Sequence, residues 1–200
     1  MTMAAEPSSR EPLTREQILV AAKRVLRRHG PAKATVVDVA QALGVSHGSV
    51  YRHFPTKAAL RAAVIGEGLA ELDRVLASTT EESGSAVERL HRWLLALIDF
   101  KQRFAREDPE LFETYCLIEV DKPKAVSAHV ELSIGMIDRI LADGVAAGEI
   151  GPSAQKAGGR AIWDATARFH HPLHHAEWAD PEINADFKRV WRLLRDGLTA

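Results

Sequence analysis

The sequence has little cysteine, no long apolar run and almost no net charge. Cys116 is the only cysteine among 200 residues, so no disulfide can form within the chain, and this usage agrees with a reducing compartment. No stretch approaches the roughly 20 apolar residues of a membrane-spanning helix, and the residues before 13 lack the apolar segment of a signal peptide. We therefore expect a cytoplasmic protein with no membrane partner.

The charge is small overall but unevenly distributed. The formal net charge is −1, which by itself does not bear on nucleic-acid binding. Residues 1–60 hold nine Lys or Arg against four Asp or Glu, a net of +5, whereas residues 61–200 hold seventeen against twenty-three, a net of −6. A basic segment joined to an acidic one is typical of a small DNA-binding domain attached to a body that repels DNA.

Residues 35–54, TVVDVAQALGVSHGSVYRHF, predict a helix, a tight turn and a second helix. Gly44 can adopt the left-handed backbone that such a turn requires, and Ser46 can cap the helix that follows. The outward residues of the second helix are small or hydrogen-bonding, as a helix that enters the major groove requires. An ordinary helical hairpin is the alternative. The apolar spacing of the first helix comes from Val36, Val39, Ala40 and Leu43.

The residues that follow the turn favour the DNA-binding interpretation. After Gly44-Val45-Ser46 the chain continues as Tyr51-x-x-Phe54-x-x-Lys57-x-x-Leu60. This pattern resembles the amino-terminal domain of the TetR (tetracycline repressor) family of bacterial transcriptional regulators. The resemblance is close over about residues 12–75 and extends further only in helix number and length. It implies a homodimeric repressor, not an enzyme and without a cofactor, that a small molecule releases from its operator.

The periodicity predicts an all-α protein of nine helices and no strand. We expect a flexible tail at 1–11, a three-helix DNA-binding head at 12–60 with the start of a long connecting helix 4, and a helical effector-binding and dimerisation body at 61–200. The eighth helix is expected to run from Ser153 through Phe169, and the ninth to begin at Asp180-Pro181. In the family that the chain resembles, the last two long helices pair with those of a second subunit.

Ten residues are candidates for contacting double-stranded operator DNA. His47, Ser49 and Arg52 are predicted to contact bases, and Gly48 to let the helix approach closely. The operator sequence itself cannot be derived. The residues predicted to cap helices or to contact phosphates are Thr35, Ser46, Tyr51, His53, Thr56 and Lys57.

The body is expected to bind a small-molecule effector, as the resemblance implies. Apolar and aromatic residues on its different helices could line such a pocket, although each of them could equally be ordinary core. In the resembling family, effector binding moves helix 4 and lowers operator affinity. The candidate lining residues are Trp93, Phe100, Phe104, Phe112, Tyr115, Met136, Trp163 and Phe169.

Four histidines lie within six residues, His170, His171, His174 and His175. Their four-residue spacing could chelate a metal on a helix, but Pro172 disfavours helical backbone at His171 and removes that geometry. An exposed or interfacial histidine turn is therefore favoured, with no metal. A metal-responsive regulator of the same fold stays as the alternative. A helical enzyme that uses Asp164 is a weaker one, since no recognisable catalytic motif occurs.

Overall fold

A computed structural model describes residues 12–119 and 123–199, and the predicted tail at 1–11 lies outside this part. The described residues form an all-α fold without a strand, as the sequence predicts. The elements are α1 (Arg15–Lys33), α2 (Val36–Leu43), α3 (His47–His53), α4 (Lys57–Thr80), α5 (Ala86–Glu107), α6 (Pro109–Glu119), α7 (Lys124–Ala146), α8 (Pro152–Ala165), α9 (Ala167–His170), a 3₁₀ helix (Pro172–Ala179) and α10 (Ile183–Leu198).

Hydroxyl side chains define where five of the helices begin. Each accepts a hydrogen bond from the backbone N–H three residues later, which satisfies one of the free donors of the first turn. Capping boxes form at Thr14 and Ser85, where the Gln17 and Glu88 side chains accept from the backbone N–H of the capping residue in return. The capping residues are Thr14, Thr35, Ser46, Thr56 and Ser85.

The prediction of nine helices is wrong between Pro152 and Ile183. The expected eighth helix is interrupted at Thr166, where the Oγ1 hydroxyl bonds the Ile162 carbonyl at 2.8 Å and the backbone leaves helical geometry. Pro172 ends helical structure before it, as predicted, and a 3₁₀ helix follows. The last helix begins at Ile183, because the Asp180 carboxylate accepts from the Glu182 N–H and holds a turn ahead of it.

The head has its own apolar core, made by α1, α2, α3 and the start of α4. Ile18 and Val50 are completely buried, and Phe54 is nearly so. The Arg15 guanidinium lies 4.2 Å from the centre of the Phe54 ring and donates to the His53 carbonyl. Leu111 of α6 belongs to the same cluster, so the body contributes to this core.

Helix α4 connects the head to the body. Its first half places Leu60 and Val64 in the head core, and its second half places Leu72 and Leu76 in the body core. Its 24 residues span about 36 Å. One continuous helix therefore contributes to both cores. The division of the chain at residue 60 stays a prediction.

The body packs α5, α7, α8 and α10 around a second apolar core that includes Trp93. Gly159 allows α8 to approach α7 closely, because a β-carbon there would lie 2.7 Å from the Ile134 carbonyl oxygen. Its N–H donates to the Asp138 carboxylate at 2.6 Å. The neighbouring Gly158 has a φ of 77° and produces a kink in α8. This glycine pair therefore shapes the junction of two helices.

No helix in the described ranges is both long enough and apolar enough to cross a membrane.

Candidate DNA-binding surface and effector cavity

The turn between α2 and α3 has the geometry of a helix-turn-helix. Gly44 adopts the left-handed conformation with φ 64°, and its N–H closes the end of α2 on the Ala40 and Gln41 carbonyls. Ser46 then caps α3. Val50 and Phe54 hold α3 against the head core, so the opposite side of this short helix faces solvent.

None of the ten residues predicted to contact DNA is buried. They lie on α3 and at the first residues of α2 and α4, where backbone N–H groups are available. Contact with DNA stays a prediction for each of them. The exposed ones are Thr35, Ser46, His47, Gly48, Tyr51, Arg52 and Thr56, and the half-buried ones are Ser49, His53 and Lys57.

Gly48 is not required by the fold. A β-carbon at this position would meet only the Ser46 Oγ, at 3.9 Å, and the backbone is ordinary helix. Glycine within a helix costs about 0.5–1 kcal/mol relative to alanine. A glycine that weakens α3 and relieves no clash in the protein is consistent with close approach of a partner to this side of α3.

A short polar network covers the exposed side of α3. The Ser46 and Ser49 hydroxyls are 2.9 Å apart, and an Arg52 Nη2 lies 3.3 Å from the Ser49 Oγ. The Tyr51 ring is 42% exposed and contacts the His47 ring edge to face. The guanidinium of Arg52 has further N–H donors available, and a bidentate bond from arginine to guanine is the commonest specific base contact.

The hydroxyls at the starts of α2 and α4 differ in what they have left to donate. Thr35 Oγ1 donates to the Asp38 carboxylate at 2.7 Å, and this bond is the main reason why the pKa of Asp38 is lowered. At Thr56, Oγ1 accepts from the Ala59 N–H at 3.0 Å, and no acceptor for its own proton occurs in the described residues. The Thr56 hydroxyl can therefore donate to a phosphate without losing a hydrogen bond, whereas the Thr35 hydroxyl would first have to release the Asp38 carboxylate.

Lys57 begins α4 and is partly engaged by the head. Its Nζ donates to the Ala32 carbonyl at 3.3 Å, near the end of α1. Partial burial and the neighbouring Arg61 charge lower its pKa. One N–H of three is used, so the predicted phosphate contact remains open to it.

A cavity of about 220 Å³ lies where the head meets the body, between α1, α4, α5 and α6. Its wall is mostly apolar, and charged side chains are added from α1 and α5. We call it the Lys101 cavity. The residues that line it are Lys23, Arg27, Val64, Ile65, Gly68, Leu69, Phe100, Lys101, Phe104, Asp108, Leu111 and Tyr115.

Three of the eight predicted effector residues, Phe100, Phe104 and Tyr115, line this cavity. The other five do not. Trp93, Trp163 and Phe169 are buried in the body core, Met136 packs against it and Phe112 belongs to the cluster beside α6. Whether any of the eight contacts an effector stays a prediction.

Lys101 is the most unusual group in the cavity wall. It is only 2% exposed, and its Nζ donates to the Tyr115 hydroxyl at 2.7 Å. Burial lowers the pKa of Lys101 to about 7, although the carboxylates of Glu119 and Asp73 oppose the shift. Burial raises the pKa of Tyr115, so its hydroxyl stays protonated. A buried amine with a lowered pKa therefore forms part of the cavity wall.

The sequence spacing of α5 indicates that Lys101 is buried, although lysine as a residue type is usually exposed. Lys101 falls four residues after Leu97 and three after Ile98, on the buried face of α5. A lysine on the apolar face of an amphipathic helix is rare unless it has a partner. Aromatic residues, by contrast, occur both in the core and in the cavity wall, so their presence in the sequence does not distinguish the two.

Two ion pairs join the head to the body at the cavity. Lys23 of α1 pairs with Glu67 of α4 at 2.8 Å, and Arg27 of α1 pairs with Asp108 at 2.6 Å. Both basic residues also line the cavity, and both are partly exposed. A molecule in the cavity would therefore contact the head directly as well as α4.

The four clustered histidines are bonded separately. His170 is buried against Trp163, and burial lowers its pKa to about 3. The His174 Nδ1 lies 2.8 Å from Glu177, and the His175 Nδ1 lies 2.9 Å from the Pro172 carbonyl. His171 accepts from the Leu173 N–H. Within the described ranges no group of three or more His, Cys, Asp or Glu residues could hold a metal ion.

Comparison with known families agrees with this geometry. The profile of the bacterial regulatory proteins of the tetR family matches residues 18–64, which contain the helix-turn-helix. The profile of the tetracyclin repressor-like C-terminal domain matches residues 86–191, more than half of the chain. The chain belongs to the TetR family. It is therefore a transcriptional regulator of that family with a DNA-binding head.

The relatives of known name in this family match over only part of the chain. The regulator TtgR of Pseudomonas putida is 40% identical over 68 residues, which cover 34% of this chain and 32% of TtgR. The repressor DhaR of Mycobacterium sp. is 30% identical over 86 residues, 42% of this chain and 43% of DhaR. The chain thus spans less than half the length of either relative.

Solved structures share the fold over nearly the whole TetR-family chain. A protein of unknown function from Rhodococcus sp. RHA1 is 25% identical with a TM-score of 0.67, over 98% of this chain and 100% of the other. FadR of Bacillus subtilis, in complex with stearoyl-CoA, is 19% identical with a TM-score of 0.61, over 92% of this chain and 100% of FadR. At such identities the likeness shows the fold.

Proposed function

We propose that this TetR-family regulator is a homodimeric repressor that binds a two-fold symmetric operator and leaves it when a small molecule occupies the Lys101 cavity. The observation that carries the proposal is α3, which is anchored by two buried residues and presents small and hydrogen-bonding side chains to solvent. In the TetR family such a helix reads the major groove. The repressor DhaR among the relatives supports repression as the mode of action.

The outer sides of α8 and α10 support a dimer. Leu193 of α10 is 75% exposed, the largest exposure among the large apolar side chains of the described residues. On α8, Ala161 and Ala165 lie beyond the kink at Gly158 and are exposed at four-residue spacing, so a second helix can approach closely there. Burying this surface against a second copy would place two α3 helices on one duplex, and a two-fold dimer requires an inverted repeat in the operator.

The position of the Lys101 cavity supports release by a ligand. The cavity is lined by α1 of the head and by Val64, Ile65 and Leu69 of α4, and α4 reaches both cores. A ligand that fits better when α4 is displaced lowers operator affinity by its difference in affinity for the two states. The neighbour FadR, solved with stearoyl-CoA, supports the idea that a body of this fold accommodates an effector.

Selection from random duplexes tests the proposal. The full chain should enrich an inverted repeat whose half-sites lie about one helical turn, or a multiple of it, apart. Arg52→Ala should abolish or alter the enriched sequence, whereas Arg103→Ala, an exposed arginine of α5 paired with Asp99, should leave it unchanged. Enrichment of no sequence by a folded dimer would show that α3 does not read DNA.

A further inference from the structure

The buried end of the Lys101 cavity has more hydrogen-bond donors than acceptors. The Lys101 ammonium has three N–H groups, and within the described residues its one hydrogen bond is to the Tyr115 hydroxyl. Tyr115 accepts that bond, and no acceptor for its own O–H occurs in the same part of the chain. Buried donors are almost always paired. Donors left over in a cavity wall indicate an acceptor that a ligand supplies.

The charges in the cavity wall are predominantly positive. Lys23, Arg27 and Lys101 line it together with a single acid, Asp108. Arg27 pairs with Asp108, and Lys23 pairs with Glu67 outside the lining. Lys101 forms no ion pair with a described carboxylate within 4 Å. It is therefore the cation of the lining that has no counterion at contact distance.

The other titratable groups near Lys101 are engaged or neutral except for Glu119, whose Oε2 is buried without a hydrogen-bond partner in the described residues. Asp73 of α4 bonds His129 of α7 at 2.5 Å, and one carboxylate oxygen of Glu119 of α6 lies 3.4 Å from the His171 ring. Burial raises the pKa of Cys116 to about 11, and the low pKa of His170 of α9 keeps its ring neutral. These groups act on Lys101 from a distance and do not replace a bonded anion.

The rest of the wall suits a short apolar body. Phe100, Phe104, Val64, Ile65 and Leu69 provide aliphatic and aromatic surface. A dry apolar cavity of about 150 Å³ in another protein holds benzene, so about 220 Å³ has room for about eight to ten non-hydrogen atoms.

We propose that the ligand of this cavity is a small apolar carboxylate, and that Lys101 and Tyr115 bind its carboxylate through an ammonium N–H and a phenol O–H. The proposal rests on the proposed effector function of the cavity and adds the ligand class. The apolar part would lie along α4, so the ligand would contact the element that joins the two cores. A neutral molecule of equal size would leave the same donors unpaired.

Binding of an anion should also draw a proton onto Lys101. Free Lys101 is largely neutral above pH 7, and a bound carboxylate favours the charged amine. At pH 8 we therefore expect uptake of up to one proton per ligand, and less at pH 6. Affinity for the carboxylate should fall as the pH rises above 7.

Isothermal titration calorimetry with matched probes tests this inference. Octanoate is compared with octanamide, and benzoate with benzamide, each in two buffers that differ in ionisation enthalpy. Lys101→Met removes the amine and Tyr115→Phe removes the hydroxyl. Lys124→Met, at an exposed lysine of α7, is the matched control. Circular dichroism and thermal unfolding verify that each variant is folded.

We expect at least one carboxylate to bind tenfold or more tightly than its amide, with proton uptake at pH 8. Lys101→Met should remove both the preference and the uptake, Tyr115→Phe should weaken binding several-fold, and Lys124→Met should change neither. Binding of neither carboxylate, equal binding of acid and amide, or a preference that survives Lys101→Met would overturn the inference. Operator binding is measured in the same preparations. If the protein binds its operator and a neutral effector releases it, the proposed function holds and only the inference about the ligand class is wrong.

Discussion

Replacing Lys101 by methionine should stabilise the protein at neutral pH and lose that advantage in alkali. Methionine keeps the length of the side chain and removes the buried amine. The pKa of Lys101 falls from 10.5 to about 7 on folding, and each pKa unit corresponds to about 1.4 kcal/mol. Burying the amine therefore costs the folded state up to about 5 kcal/mol below pH 7. The variant also loses the hydrogen bond to Tyr115, which reduces the expected stabilisation by about 1–3 kcal/mol.

The stability difference between the variant and the unmodified protein should decrease as the pH rises. Between pH 7 and 10.5 the unfolded chain holds a proton on Lys101 that the folded chain does not, so the stability of the unmodified protein rises with pH there. Lys101→Met lacks this contribution. We expect the variant to be more stable by about 2–4 kcal/mol below pH 7, and this advantage to shrink by up to about 1.4 kcal/mol per pH unit above it.

Urea unfolding followed by circular dichroism measures this difference at pH 6, 7, 8 and 9. Equal chain concentrations are needed, because association contributes to apparent stability. Other groups titrate in both proteins and largely cancel in the difference. Lys124→Met, at an exposed lysine, should differ from the unmodified protein by little at every pH. A difference for Lys101→Met that does not change with pH, or destabilisation at pH 7, would refute the reasoning about this amine.

Three further predictions concern the head and the dimer. Gly48→Ala should raise the free energy of unfolding by about 0.5–1 kcal/mol and weaken operator binding, and undiminished affinity would show that α3 does not approach DNA closely there. Gly44→Ala should lower that free energy by about 1–2 kcal/mol, because φ is 64°, and a neutral result in urea unfolding would contradict this. Leu193→Glu should give monomers in sedimentation velocity, whereas Leu173→Glu, at an exposed leucine of the 3₁₀ helix, should leave the dimer intact. Dimers of Leu193→Glu would place the interface elsewhere.

The helices of the head could be predicted from sequence because their determinants are local. A hydroxyl residue three positions before a polar partner fixes where α1 begins, and Gly44 fixes where α2 ends. These signals lie within a few residues of the structure that they specify. The family pattern from Tyr51 to Leu60 then assigns the fold and the class of function.

The interruption of the eighth helix could not be predicted in the same way. Apolar residues continue at helical spacing from Ile162 to Phe169, and threonine is tolerated in helices. At the break, the completely buried Thr166 hydroxyl bonds the Ile162 and Trp163 carbonyls, and such burial depends on tertiary packing.

The candidate DNA-binding residues could also be predicted from local sequence, whereas the cavity could not. The residues of α3 could be named from the motif, because a surface helix exposes one face at known spacing. The cavity could be predicted only as an expectation of the family. Its location between α1 and α4 depends on how Leu111 packs in the head core, a contact between residues far apart in sequence. Composition alone did not separate Phe100 and Phe104, which line the cavity, from Trp93, which does not.

Fluorescence anisotropy tests the central claim, sequence-specific DNA binding through α3, most directly. The full chain is titrated on the selected operator and on a scrambled duplex of the same composition at several salt concentrations. We predict at least about 10³-fold tighter binding to the operator, and loss of about 1–3 kcal/mol of that discrimination in Arg52→Ala. Equal affinity for the two duplexes at every salt concentration would contradict the account.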